Sequence, residues 1–138
     1  MKLLKHANVY TPAPLGKRDV LIEGERILRI AEEITGYDEL PDVDVYDLSG
    51  KTLVPAYIDL HVHITGGGGE QGPASRVPES SLSTFFKNGI TTVVGLLGTD
   101  GITRSLENLV AKARALTEEG MTVYTCLLYT SPSPRDRG

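Results

Sequence analysis

The chain has 138 residues, 40% hydrophobic and 23% charged, with a formal net charge of −4. That length fits one domain or part of one, and the balance fits an ordinary soluble globular chain. The acidic balance leaves no basic stripe to displace counterions from phosphates, which argues against a nucleic-acid binder, and the single cysteine, Cys126, excludes an intramolecular disulfide and a cysteine-built zinc site.

Residues 1–6 carry no apolar run long enough for a signal peptide. No stretch approaches the roughly 18 apolar residues of a membrane span. The expectation is a cytoplasmic protein without a membrane partner. His6 reads as a surface residue of no function.

Residues 7–10 read as a short strand, ended by Thr11-Pro12-Ala13-Pro14. Residues 19–23 and 26–31 read as a hairpin in which Gly24 supplies the permissive turn backbone. Residues 42–48 alternate polar and apolar side chains, as a half-buried strand does, and Ser49-Gly50-Lys51 is a further turn. Residues 1–51 are therefore expected to form a small N-terminal β module of β-sandwich type, half of a composite β domain.

The pattern changes at Thr52. Residues 53–63 form a largely apolar strand with polar residues near its end, followed by four glycines at 66–69. Residues 78–89 read as a helix, with Ser80 or Ser81 as cap and Gly89 as a left-handed stop. Residues 90–97 are a continuous run rich in β-branched side chains, as in a buried parallel strand. Residues 103–119 are the strongest helix, with Leu106, Leu109, Val110, Ala113 and Leu116 on one stripe and Gly120 ending it. Residues 121–125 open another strand. Strands alternating with helices over 52–125 imply an α/β fold with a parallel sheet, whose ligands sit at the C-terminal strand ends. Residues 126–138, with two prolines among serines and a charged end, are expected to be a non-native or disordered tail.

Chemistry concentrates in Asp59-Leu60-His61-Val62-His63. Two positions apart on a strand places both imidazoles on one face, with Cα atoms about 6.5 Å apart. Imidazoles so placed can converge on one metal ion through Zn–N bonds of about 2.0–2.1 Å. Leu60 and Val62 then point the other way, into apolar packing. Asp59 is read as facing away from the histidines, as a hydrogen-bond acceptor or structural group. Read from the residues alone, Glu70 is a solvated loop acid, and Thr99-Asp100 is a helix N-cap with Thr103 as a competing cap.

Residues 54–63, Val-Pro-Ala-Tyr-Ile-Asp-Leu-His-Val-His, following a small β module, resemble the first barrel strand of the amidohydrolase superfamily. The stretches Gly66-Gly67-Gly68-Gly69-Glu70-Gln71-Gly72-Pro73, Val94-Gly95-Leu96-Leu97-Gly98-Thr99-Asp100 and Arg114-Ala115-Leu116-Thr117-Glu118-Glu119-Gly120 resemble the isoaspartyl (β-aspartyl) dipeptidases, over roughly residues 1–125. The resemblance implies that residues 52–125 are the first βα units of a (β/α)8 TIM-type barrel that in its complete form binds two zinc ions. It implies that His61 and His63 hold the more buried ion. A carboxylated lysine, two further histidines and the general acid/base aspartate lie downstream in the family, so no catalytic residue is assigned to this chain. Glu70 matches the residue that receives the substrate's α-ammonium group, with Gly68 and Gly69 beside it, and Thr99 matches a second substrate contact. The implied partner is a small dipeptide, and related barrels often assemble into homo-oligomers.

Two positions depart from the family pattern. Ala56 stands where the superfamily usually has glycine. Tyr129 lies near the place of a substrate-binding tyrosine but off register, and that role is not carried over. The expected activity of the complete enzyme is metal-assisted hydrolysis of β-aspartyl dipeptides. This chain, at most three of the eight strands, is expected to be inactive by itself, with open sheet edges that invite aggregation. Two other readings stand beside this one. One is a dihydroorotase-like or hydantoinase-like cyclic amide hydrolase. The other is a non-catalytic interaction module with structural histidines. A carboxylate such as Glu70 suits an α-amine better than a cyclic amide.

Overall fold

The computed structural model describes residues 1–127. The expectations for Tyr129 and for all but the first two residues of the tail lie outside the described residues. The chain divides into two compact units, Met1–Pro55 and a second beginning at Ala56.

In the first unit, β1 (Lys2–Tyr10), β2 (Pro14–Glu23), β3 (Arg26–Ala31), β4 (Asp44–Asp47) and β5 (Thr52–Leu53) form one five-stranded sheet. β1 is central: β2 pairs with it antiparallel, and β4 and β5 pair with it in parallel along its other side. β3 continues the sheet beyond β2 through the expected hairpin, with Gly24 at φ 54°. Both β1 and β2 run longer than their apolar patterns indicate, because cross-strand pairing carries the flanking polar residues into the ladder.

β1 contains an extra residue. Leu4 pairs with Val20 but Ala7 pairs with Arg18, so the register slips by one around His6, whose φ is 63°. The carboxylate of Asp19, 1% exposed, accepts the backbone N–H of His6 at 2.8 Å and of Ile34 at 3.0 Å. A bulge of this kind reverses the facing of the residues beyond it. Leu4, Ala7 and Val9 consequently share one cluster with Val20, while Leu3 packs with Leu21 and Ile34. His6, expected to be without a role, marks the bulge.

In the second unit, β6 (Tyr57–Val62), β7 (Ile90–Gly95) and β8 (Thr122–Thr125) form a parallel sheet in chain order. α1 (Leu82–Phe86) and α2 (Leu106–Glu118) connect them. Ile64, Phe85, Val93, Leu109, Ala113, Leu116 and Met121 form the core between sheet and helices. The chain is a mixed α/β protein, as expected.

Three elements differ from expectation. The strand expected over 53–63 is divided: Thr52–Leu53 pairs with β1, and β6 starts only at Tyr57. The helix expected over 78–89 shortens to five residues, because the N–H of Ser80 donates to the carbonyl of Ile64 at 3.1 Å and holds the preceding stretch to the loop. Ser81 takes the N-cap position, and Gly89, at φ 72°, ends the turn. α2 begins at Leu106 rather than Thr103, since Ser105 accepts the N–H of Asn108 at 3.2 Å. Thr103 is occupied elsewhere, by Asp100.

Candidate metal and substrate site

His61 lies in β6 and His63 directly after it, at the C-terminal edge of the parallel sheet. Their ring centroids are 5.2 Å apart and their planes cross at 88°. Two imidazoles bound to one tetrahedral zinc, with bonds of about 2.0–2.1 Å, have centroids about 5 Å apart, so the pair fits a shared cation. An edge-to-face ring contact has the same dimensions. The Nδ1 of His63 lies 3.3 Å from the carbonyl of Leu96. A proton on Nδ1 then donates to that carbonyl and makes Nε2 the nitrogen with a lone pair for a cation. Gly67 and Gly98 flank this ring: a Cβ on either would stand 3.7 Å or 3.4 Å from its atoms. Among the described residues, no group of three or more His, Cys, Asp or Glu side chains could hold a metal ion.

Strict alternation would set Asp59 beside the histidines. The register prevents this, since Asp59 pairs with Val93 and Val62 with Gly95, three steps of β6 against two of β7. Val93 and Gly95 are buried, and Val62 packs on the helix-covered core. Asp59 therefore shares the helix-covered side and His61 and His63 the opposite one. The Asp59 carboxylate accepts the backbone N–H of His61 at 3.1 Å, so it fixes main chain rather than a ring. Leu60 corrects the expectation of apolar packing: it is 71% exposed.

The glycine loop is folded tightly. Gly66 and Gly68 have φ of 91° and 70°, and a Cβ on either would lie 2.2 Å from the Val77 carbonyl or 2.3 Å from that of Ser75. Side chains cannot be accommodated there. The hydroxyl of Ser75 accepts the N–H groups of Gly69 and Gln71, both at 3.2 Å, and donates to the carbonyl of Gly72 at 2.8 Å. This arrangement presents Glu70 to Thr99, whose hydroxyl donates to the carboxylate at 2.6 Å. The Thr99 hydroxyl, and after it the Glu70 amide, hold the Glu70 carboxyl below its ordinary range, with His63 and Arg104 adding smaller electrostatic contributions.

Sequence reasoning missed Arg104 and Arg76 and misjudged Asp100. Asp100 is no cap of α2. Its carboxylate accepts the N–H groups of Ile102 and Thr103 at 3.1 and 2.9 Å and the hydroxyl of Thr103, and it lies 3.3 Å from Arg104 and 3.5 Å from Arg76. Arg104 is 6% exposed and donates to the carbonyls of Thr65 and Val77 at 3.0 and 2.9 Å. No periodicity announces the burial of such a residue, because its two carbonyl acceptors lie 39 and 27 positions away.

No family model matches the chain. Solved structures do. The β-aspartyl dipeptidase of Fervidobacterium islandicum AW-1, in complex with the β-Asp-Leu dipeptide, is 47% identical over 90% of this chain and 32% of its own, with a TM-score of 0.83. The D-hydantoinase of a Thermus species is 25% identical over 80% of this chain and 23% of its own, with a TM-score of 0.60. Among curated proteins, the dihydroorotase of Staphylococcus aureus (strain Mu50) is 29% identical over all of this chain and 31% of its own length. The chain spans about a quarter to a third of the length of the relatives it matches.

Proposed function

We propose that this chain is part of an amidohydrolase of the β-aspartyl dipeptidase kind, and that the complete protein is a zinc-dependent hydrolase of β-aspartyl dipeptides. One observation carries this reading. Glu70 and Thr99 meet at 2.6 Å on the two loops that follow β6 and β7, and the histidine pair stands at the C-terminal end of the first of those strands, His61 in it and His63 just after it.

His61 and His63 would hold the metal, which when bound polarises a carbonyl and lowers the pKa of water. Glu70 stays ionised at neutral pH, so it meets a substrate ammonium as a charge-assisted acceptor. Thr99 fixes the direction of that carboxylate. The backbone of Gly68 and Gly69 stands beside it with no side chain in the way. The remaining metal ligands and the proton-transferring aspartate would come from chain beyond these residues, so this chain alone is inactive.

The barrel reading has its own support. Ile58 pairs with Thr92, and Ile58, Leu60 and Tyr124 are 64%, 71% and 63% exposed in a parallel sheet with helices packed on its other side. Parallel sheets are normally covered on both faces. Further strands of a (β/α)8 barrel would close over these residues. The five-stranded first unit would likewise be half of a β-sandwich-type domain.

A cyclic amide hydrolase is the second reading, favoured by the dihydroorotase and hydantoinase matches. Residues 1–125 joined to the remaining two thirds of the F. islandicum dipeptidase separate the two. The expected result is hydrolysis of β-Asp-Leu, with KM raised by Glu70→Gln. Turnover of dihydroorotate or a hydantoin without β-Asp-Leu hydrolysis would favour the second reading.

A further inference from the structure

Arg104 is an arginine with almost no exposed surface, and its charge is spread over three segments. Nε donates to the carbonyl of Thr65, just after the histidine pair. Nη2 donates to the carbonyl of Val77, at the far end of the glycine loop. Nη1 reaches the Asp100 carboxylate at 3.3 Å, directly after Thr99. The guanidinium therefore spans both ends of the loop that carries Glu70 and the base of the loop that carries Thr99. Arg76, 43% exposed at its side chain, adds a weaker second tie to Asp100 at 3.5 Å.

A planar guanidinium can serve all three acceptors at once, because its donors diverge in fixed directions. The glycine loop needs such a tie. Its backbone is the least restrained kind, and its other ties include the Val77 N–H to the Gly67 carbonyl at 2.8 Å, the Ser80 N–H to the Ile64 carbonyl at 3.1 Å, the Ser75 hydroxyl bonds and the Thr99 hydroxyl to Glu70 at 2.6 Å, of which only the last reaches the Thr99 loop. Gly66 leaves the space: a Cβ there would lie 2.9 Å from the Arg104 guanidinium.

We propose that Arg104 is a positioning residue, which clamps the glycine loop to the Thr99 loop and so sets where Glu70 stands. The consequence for substrate rests on the reading of Glu70 as the ammonium partner; the clamp itself does not.

Hydrogen exchange by mass spectrometry on the whole chain, at low concentration, tests the clamp without any assay of hydrolysis. Arg104→Met is expected to speed exchange in peptides covering residues 65–80 on the order of tenfold, the loss of charge-assisted bonds. Peptides from α2 and β7 are expected to keep their protection. Arg104→Lys, which retains the charge but reaches fewer acceptors, is expected to restore part of the loop's protection. Unchanged exchange over 65–80 in Arg104→Met would overturn the proposal, as would a uniform rise across the unit that Arg104→Lys does not relieve. Should Arg104→Met fail to fold, Asp100→Asn decides. It removes one arm, and it must loosen the 65–80 and 96–103 segments together; loosening of 96–103 alone would count against the clamp. Failure of the dipeptidase reading would appear separately, as no turnover of β-Asp-Leu by the joined enzyme.

Discussion

The hydroxyl of Thr99 donates to the carboxylate of Glu70 at 2.6 Å, across 29 positions of sequence. Thr99→Val removes this donor at nearly constant volume. Two results are expected. The Glu70 carboxyl should titrate closer to its ordinary value, measured by carboxyl-carbon NMR. In the joined enzyme, KM for β-Asp-Leu should rise by roughly 3- to 10-fold, the scale of one net hydrogen bond. An unchanged KM would separate Thr99 from the substrate.

Acid should loosen both units. The Asp100 carboxyl is held at about 2, first by the Thr103 hydroxyl and then by the Thr103 N–H, with Ile102 and Arg104 adding to this. The Asp47 carboxyl is likewise held at about 2, by the hydroxyl and N–H of Ser49 and by His6. Each folded pKa lies below the unfolded one, so the folded state binds fewer protons in between. The stabilisation is present above about pH 4 and is lost as pH falls through about 2. Thermal midpoints measured from pH 5 to pH 2 should fall in that window. Asp47→Asn with Asp100→Asn should flatten the dependence.

Asp19 holds two backbone amides at the β1 bulge. Asp19→Ala leaves the N–H groups of His6 and Ile34 without their acceptor, at a cost of about 2–4 kcal/mol. Urea denaturation followed by circular dichroism measures it. A loss below about 0.5 kcal/mol, the scale of an ordinary surface change, would show that the bulge does not depend on this carboxylate.

Thr65 points the other way. Its hydroxyl is buried without a hydrogen-bond partner among the described residues, while its carbonyl serves Arg104. Thr65→Val keeps the carbonyl and removes the orphan hydroxyl. Stability should stay level or rise by up to about 1 kcal/mol in the same measurement.

Much of this architecture is legible in the sequence. The parallel series over β6, β7 and β8 follows from apolar runs alternating with the stripe of α2. The His61–His63 pairing follows from their spacing, and the Gly24 turn from glycine's conformational freedom. What could not be read depends on partners distant in sequence. The slip between Asp59 and Val62 is a property of pairing with β7, so no count along β6 reveals it. The burial of Arg104 depends on carbonyls in another loop. The shortened α1 results from the Ser80 N–H being taken by the Ile64 carbonyl, which holds the residues before Ser81 to the loop, so that the helix starts only after the Ser81 cap that the sequence offered. The Glu70–Thr99 contact lay between: the family resemblance implied both residues, and the distance between them came from the fold.

The most direct measurement is bound zinc together with β-Asp-Leu hydrolysis in the joined enzyme, before and after His61→Ala with His63→Ala. The expected result is that the paired change lowers zinc content by about one ion per chain and abolishes hydrolysis while the circular dichroism spectrum is retained. Full zinc content and undiminished hydrolysis without these two imidazoles would contradict the assignment.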